Sequence, residues 1–414
     1  MRILVIGSGG REHAIAHALS REGGHELHAA PGNPGMAATC ECHPVRADDI
    51  EGLIGLSSRL GADLVVPGPE APLVAGIADA LEDAGIPCFG PSAACAMLEG
   101  SKWFAKELMA AAGVPTAPGR LLSTPAGVLE AAGGSWGGWV LKDDGLAAGK
   151  GVFLPDGDDE ASEALGRLFP GGRGRVVLEK RLRGREVSMM ALCSGEEAFV
   201  LPPSRDHKRA FDGDRGPNTG GMGAVCPAPG IPGGFSDWAL SNVFRPVLEE
   251  LHRRGTDYRG VLYAGLILAQ EGPAVLEFNC RFGDPEAQAV LALLEGDAGA
   301  AFLSCARGNP DFSGIRILPG ASACVVMASE GYPGAYGSGF RIDGIDSAGA
   351  DDSGITVFHA GTAMSDGSLV TAGGRVLGVT GTGAGLGEAL AKTYAAVGTI
   401  TFRGASWRKD IGAT

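Results

Sequence analysis

Short apolar runs that end in glycine turns and open into helical stretches dominate the first hundred residues. Ile3-Leu4-Val5-Ile6 closes at Gly7-Ser8-Gly9-Gly10 and is followed by a helical pattern from Arg11 to about Ser20. Leu64-Val65-Val66 closes at Pro67-Gly68-Pro69-Glu70 before a second helical run, Pro72 to Ala84. Ile86-Pro87-Cys88-Phe89 leads to a third turn, Gly90-Pro91-Ser92. Strand, turn and helix in this repeated order predict a parallel α/β sheet. Ligands of such sheets gather at the carboxyl ends of the strands, where these turns lie.

From about Ser101 the pattern changes. A helix over Lys102 to Ala112 precedes a strand-like Gly138–Lys142, a glycine-rich loop, and Val152-Phe153-Leu154. A helix near Asp159–Leu168 and strands near Arg175–Glu179, Glu186–Cys193, Ala198–Leu201, Val261–Leu268 and Ala274–Phe278 follow. A last block has strands at Ala323–Met327, Thr356–His359 and Arg375–Thr380, a helix near Leu386–Ala396, and a Gly/Asp-rich loop over 343–354. Strands with helices to one side read as α+β, so the chain as a whole is an α/β and α+β multidomain protein.

Composition narrows the function classes. With 414 residues the chain has room for two or three domains. Its net charge of −14, without a long Lys/Arg run, speaks against a nucleic-acid or anionic-membrane binder. No stretch of 18 apolar residues occurs, and Met1-Arg2 runs straight into a strand, so neither a membrane span nor a signal peptide is expected. The nine scattered cysteines read as reduced thiols of a cytoplasmic protein. Cys40-Glu41-Cys42-His43 has a metal-like look, but no second ligand pair follows at finger spacing, and a chance loop is the better reading. The 69 glycines and 25 prolines, nearly a quarter of the chain, show no three-residue period and sit between apolar runs. A chain that uses its glycines at strand ends is using them as turns.

Three segments carry the chemistry. Gly7-Ser8-Gly9-Gly10 fails the dinucleotide spacing because residue 12 is Glu, yet a glycine turn before a helix still favours an anion. Lys142-Asp143-Asp144-Gly145-Leu146-Ala147-Ala148-Gly149-Lys150-Gly151 is not a Walker A motif, but a loop of this composition can close over a polyphosphate. Glu277 and Asn279 lie two apart in a strand, hence on one face, and pair a carboxylate with an amide oxygen as a hard cation requires. Arg281 follows, able to reach phosphate or carboxylate if the strand persists, and Asp284-Pro285-Glu286 resembles a helix start. The cationic cluster Ser204–Arg209 beside the glycine loop 216–224 suits a phosphorylated or carboxylated ligand.

Taken in order, these segments resemble the glycinamide ribonucleotide synthetase family of the ATP-grasp superfamily. The likeness extends from Met1 to Gly412 and rests on Gly9-Gly10-Arg11-Glu12-His13, Pro31-Gly32-Asn33, Gly68-Pro69-Glu70-Ala71-Pro72-Leu73 and Leu98-Glu99-Gly100-Ser101-Lys102. Gly145–Val152, Asp206–Arg209, Gly216–Ala224, Glu277–Glu286, Phe358–Thr362 and Gly373–Leu377 extend it. The resemblance implies an N-terminal substrate domain over 1–100, an ATP-grasp domain over 101–315 with a lid at about 118–185, and a C-terminal domain over 320–414. It implies ATP with Mg2+ or Mn2+, and ligation of glycine to 5-phosphoribosylamine through glycyl phosphate, in a cytoplasmic monomer or weak dimer.

On the same grounds Lys102, Lys142, Gly149, Lys150 and Gly151 face ATP, Glu179 to Leu182 form the adenine hinge through the backbone, and Glu186 holds the ribose. Glu277 and Asn279 hold the metal. Gly9, Gly10, Asn33, Glu70, Gly220, Gly221 and Asp284 surround glycine and the amine, with Arg281, Lys208 and Asp206 as catalytic groups among them. Asp143, Lys180-Arg181 and Arg185 depart from the family's usual residues, and an extra anion at 143 is expected to need a cation such as Lys180 or Arg185. These departures leave open a diverged amide ligase that joins another amine or amino acid.

Overall fold

The computed structural model describes residues 1–147, 151–349 and 354–413. Gly149, Lys150 and part of the expected loop 343–354 therefore lie outside the described residues. The N-terminal sheet is parallel, as the repeated strand-turn-helix pattern predicts. Its strands are β1 (Arg2–Gly7), β2 (Glu26–Pro31), β3 (Glu41–Cys42) and β4 (Leu64–Pro67), in the order β3-β2-β1-β4.

Two details differ from the sequence expectation. The expected strand Ile86–Phe89 contributes only an isolated parallel bridge, Val65 to Cys88. Pro87 within it has no N–H to donate to a ladder. β1 is flanked by β4 and by β2, whose short run Glu-Leu-His-Ala-Ala-Pro lacks β-branched residues and gives a weak strand signal. The helical run after Gly68 is broken into Glu70–Val74 and Ile77–Asp83 by Gly76 at φ +87°.

The next segment forms two antiparallel sheets. The first orders strands Gly119–Leu122, Val176–Lys180, Trp139–Asp143 and Val152–Phe153. Helices Pro125–Ala132 and Asp158–Leu168 close it over a core that includes Val128, Leu141, Ala164 and Leu178. The second sheet orders Glu197–Val200, Gly184–Ser194, Arg259–Ala269 and Gly272–Asn279. Helix Lys102–Ala112 and a helical run over 235–253 pack against it through Leu108, Phe244, Leu248 and Leu262.

The C-terminal sheet is shared along the chain. Strands Arg205–Asp206 and Gly223–Cys226 add to Ala321–Ser329, Arg375–Gly383 and Ile355–His359. The segment carrying Asp206 and Lys208 is thereby fixed to the last hundred residues. No helix among the described residues is long and apolar enough to cross a membrane.

The first and last blocks also meet through histidines. The His359 amide donates to His13 Nδ1 at 2.9 Å, and the His13 ring stands edge-on to Phe358 at 5.4 Å. Burial, with neighbouring histidines, lowers His13 to about 3; burial, with Arg21, lowers His17 to about 4; burial alone lowers His359 to about 4. Each base is neutral when folded but takes a proton near pH 6.5 when unfolded. Their contribution to stability is present above about 6.5 and is lost as pH falls toward 4. Denaturant titrations at pH 7.5 and 5 are expected to show this loss, and His13→Asn is expected to reduce it. An unchanged pH dependence in the variant would remove His13 as a cause.

Candidate active site

Strand Gly272–Asn279 carries a bulge, with Gly265 opposite Glu277 and Leu266 opposite Val275. Glu277 and Asn279, two apart in this strand, lie on one face. Burial pushes the Glu277 carboxyl up, but Lys208, Lys142, Lys102 and Arg281 outweigh it and hold the group below its usual range. Among the described residues no hydrogen bond or ion pair engages this carboxylate. An ionised, unshared carboxylate next to an amide oxygen, ringed by four cations, fits a divalent cation carried on a polyphosphate.

The strand stops at Asn279, so Arg281 does not continue it. Arg281 turns back, donating from Nη2 to Asn279 Oδ1 at 3.2 Å and to Glu99 Oε1 at 2.8 Å, with Nε 3.4 Å from Glu70 Oε2. Glu99 also accepts from the Cys280 amide at 2.7 Å. Arg11 stands 4.0 Å from Glu70 on the other side. Glu70 thus lies between two guanidiniums at the junction of the first two blocks.

From strand Trp139–Asp143, Lys142 donates to the Leu276 carbonyl at 2.8 Å and pairs with Glu179, whose other oxygen meets Lys106 at 2.7 Å. One carboxylate therefore positions two lysines, and Lys142 bridges the two sheets. Lys102 donates to the Gly145 carbonyl at 2.9 Å. Asp144 accepts from Ser101 Oγ and the Trp103 amide, both at 2.9 Å, which ties the root of the glycine loop to a helix N-terminus. Gly151 is packed so closely that a Cβ there would stand 3.0 Å from Asp143 Cβ.

The expected partners of Asp143 are not its partners. Lys180 Nζ sits 3.7 Å over the Trp139 ring, and Arg185 donates to the Pro229 and Gly230 carbonyls. The charge of Asp143 instead acts on Lys102. Along the expected hinge, the Lys180 and Arg181 amides already donate to Pro118 and Gly138 carbonyls. Among the described residues the Leu182 amide has no protein acceptor, which leaves it free to read a heterocycle.

The opposite wall comes from the shared sheet. Lys208 Nζ is 3.1 Å from Glu186 Oε2, and both line a small cleft with Asp206, Ser188, Tyr263 and Glu277. Asp206 Oδ1 is buried without a hydrogen-bond partner. Burial and the facing Glu286 push its carboxyl well above the usual range, against the pull of Lys208 and Arg375. Gly221, at φ +106°, lies so close that a Cβ would stand 2.3 Å from Pro285 Cδ and 2.7 Å from Asp206 Oδ1. Gly220 and Asp284 both accept from Arg375, at 2.5 Å to the Gly220 carbonyl and 2.9 Å to Asp284 Oδ2.

The first glycine turn completes the enclosure. A Cβ on Gly9 would stand 3.9 Å from Asp284 Oδ2, and one on Gly10 would stand 2.6 Å from Gln288 Nε2. Asn33 is adjacent, but its side chain is spent within the protein. It donates to the Ser8 and His359 carbonyls and accepts from the Gly35 and Met36 amides. Its contact with any ligand would fall to the backbone.

Local pattern missed Glu99, Glu286 and Arg375. Each lies within a glycine-bearing segment of the sequence, yet the partner is far along the chain: 182 residues for Glu99 and Arg281, 91 for Arg375 and Asp284.

Sequence models of phosphoribosylglycinamide synthetase match this chain in three consecutive pieces: the N domain over residues 1–99, the ATP-grasp (A) domain over 100–287 and the C domain over 322–414. The phosphoribosylamine–glycine ligase of Streptomyces coelicolor is 48% identical over 416 residues, covering 100% of this chain and 99% of that protein. The crystal structure of the phosphoribosylamine–glycine ligase of Thermotoga maritima superposes with a TM-score of 0.85 at 35% identity, covering 99% and 100% of the two chains. The biotin carboxylase domain of 2-oxoglutarate carboxylase from Hydrogenobacter thermophilus shares the fold at 20% identity, with a TM-score of 0.75 over 98% of this chain and 91% of that one.

Proposed function

The chain belongs to the phosphoribosylglycinamide synthetase family, and from that premise we propose that it joins glycine to 5-phosphoribosylamine at the expense of ATP. The observation that carries the reading is the Glu277 carboxylate, which shares a cleft with Lys208 and is held below its usual range by Lys208, Lys142, Lys102 and Arg281, with the Gly9 turn beside Asp284. In the first step a glycine carboxylate oxygen attacks the γ-phosphorus and ADP leaves, giving glycyl phosphate. In the second the amine nitrogen attacks the glycyl carbonyl carbon, phosphate leaves with both electrons of the C–O bond, and the nitrogen gives up a proton.

Both steps are mainly positioning and charge neutralisation, for which four cations and backbone turns are suited. Lys102 and Lys142 would neutralise the phosphates, and the Leu182 amide would read the adenine, with Glu186 at the ribose. Glu277 and Asn279 would hold Mg2+, which spreads the negative charge of the transferring group. Arg281 and Lys208 would orient the glycine carboxylate. Gly220, Gly221 and Asp284 would enclose the amine, the Gly9-Gly10 turn its phosphate, and Glu70 would keep Arg281 in place.

Asp206 is suited to take the amine proton, because its carboxyl is unshared at Oδ1 and held above the usual range. Its basic form appears only as pH rises, so amine-dependent turnover is expected to climb along an acidic limb. Asp206→Asn is expected to flatten that limb and slow the amine step by about 10²-fold, the low end for a general base. A limb unchanged in the variant would assign the proton elsewhere.

The direct test is a substrate panel with ADP release and product mass as readouts. ADP release that requires both glycine and phosphoribosylamine, with glycinamide ribonucleotide as product, is the expected outcome. Release with another amine, and none with phosphoribosylamine, would overturn the assignment.

A further inference from the structure

The edge of the N-terminal sheet holds a second convergence of ligand-type side chains, remote in chemistry from the phosphate site. β3 pairs in parallel with β2, with Glu41 opposite His28 and Cys42 opposite Ala29. Alternation puts Glu41 and His43 on one face and Cys42 on the other, where its Sγ packs against Gly32. This explains why Cys40-Glu41-Cys42-His43 shows no companion motif in the sequence. The missing ligand comes from the neighbouring strand.

On that face His28 Nδ1 is 3.1 Å from His43 Nε2 and 3.7 Å from Glu41 Oε2. One ligand atom from each residue lies within 4.8 Å of the other two, the one such grouping of His, Cys, Asp or Glu among the described residues. Bonds of about 2.0–2.1 Å at tetrahedral angles place two ligating nitrogens about 3.3 Å apart, so the imidazoles already stand at ligand spacing. The His28 side chain is only 3% exposed, and its other nitrogen, Nε2, has no hydrogen-bond partner. Glu26 Oε1 waits 3.4 Å from that nitrogen. A carboxylate behind the distal nitrogen favours the Nε2–H tautomer and aims the Nδ1 lone pair at His43 and Glu41.

We propose that His28, Glu41 and His43 form a binding site for a Zn2+-type divalent cation, with water as a fourth ligand and Glu26 as the carboxylate behind His28. Two imidazoles and one carboxylate select Zn2+, Cu2+ or Ni2+ over Mg2+, which takes oxygen ligands. The site is distinct from Glu277 and Asn279. A bound ion would clamp β3 onto β2 and so fix the base of the loop over 32–40, whose Asn33 ties Ser8 to His359.

The test uses the full chain, stripped with a chelator and titrated calorimetrically with Zn2+ in the absence of nucleotide. One Zn2+ per chain is expected, not displaced by excess Mg2+, with a rise in melting midpoint. Co2+ in place of Zn2+ is expected to give the visible absorption of a four-coordinate ion. His43→Ala is expected to lose the uptake and the midpoint rise while keeping its MgATP-dependent turnover, its metal-free midpoint lowered only by loss of the His28–His43 hydrogen bond. Glu26→Gln is expected to bind roughly 10–100-fold more weakly, as for loss of a carboxylate behind a ligating histidine. Absence of stoichiometric uptake at micromolar protein, or uptake undiminished in both His43→Ala and Glu41→Gln, would overturn the proposal.

Discussion

Glu277→Gln is expected to cut metal-dependent turnover by about 10³-fold, the upper range for removing one preorganised electrostatic contact, while leaving the fold intact. The side chain keeps its shape and loses only its charge. That charge lies among Lys102, Lys142, Lys208 and Arg281, and no described residue pairs with it. Without it a bound metal would lose the carboxylate proposed to hold it, and the four cations would lose the charge that balances them before ATP arrives. Circular dichroism should match the parent protein and the melting midpoint should fall only modestly, because favourable charge contacts are lost while no folded-state hydrogen bond to this carboxylate is broken. Raising Mg2+ should recover part of the activity if binding is what was lost. Activity within tenfold of the parent would remove Glu277 from the metal site.

Arg281→Met is expected to abolish measurable turnover and also to destabilise the chain. The guanidinium is the partner of Glu99, whose side chain is 8% exposed, and stands between it and Glu70. Burial already raises the Glu99 carboxyl, against the pull of Arg281. Stranding one member of a buried pair costs about 3–5 kcal/mol. The two losses can be separated. In the double variant Arg281→Met, Glu99→Gln the amide still accepts from the Cys280 amide, so most of the stability should return while turnover stays absent. Recovery of both would mean that Arg281 is only a structural partner and orients no substrate.

The two residues show how far local pattern reaches. Glu277 and Asn279 were legible because alternation in a strand is a local property, and the strand was marked by its apolar neighbours. The position of Arg281 was legible from its motif, but not its geometry. The strand ends at Asn279, and the side chain is held by Glu99, 182 residues away. Arg375 and Glu286 were passed over for the same reason: one crosses from the last sheet to Asp284, the other is buried behind Ser188 and Tyr263.

The parallel sheet followed from its glycine turns, whereas β2 did not, because its sequence has the composition of a weak strand and owes its place to pairing with β1. Asp143 shows the opposite error. Its expected rescue by Lys180 or Arg185 assumed that cations near in sequence are near in space. Lys180 instead lies on Trp139 and Arg185 on the Pro229–Gly230 turn.

In the proposed reaction glycine's carboxylate becomes an acyl phosphate in the site around Glu277 before the amine attacks. It is tested most directly by following oxygen. With glycine labelled by 18O in both carboxylate positions, ATP and phosphoribosylamine, one labelled oxygen should appear in each phosphate released. Unlabelled phosphate, formed at the same rate as glycinamide ribonucleotide, would contradict it.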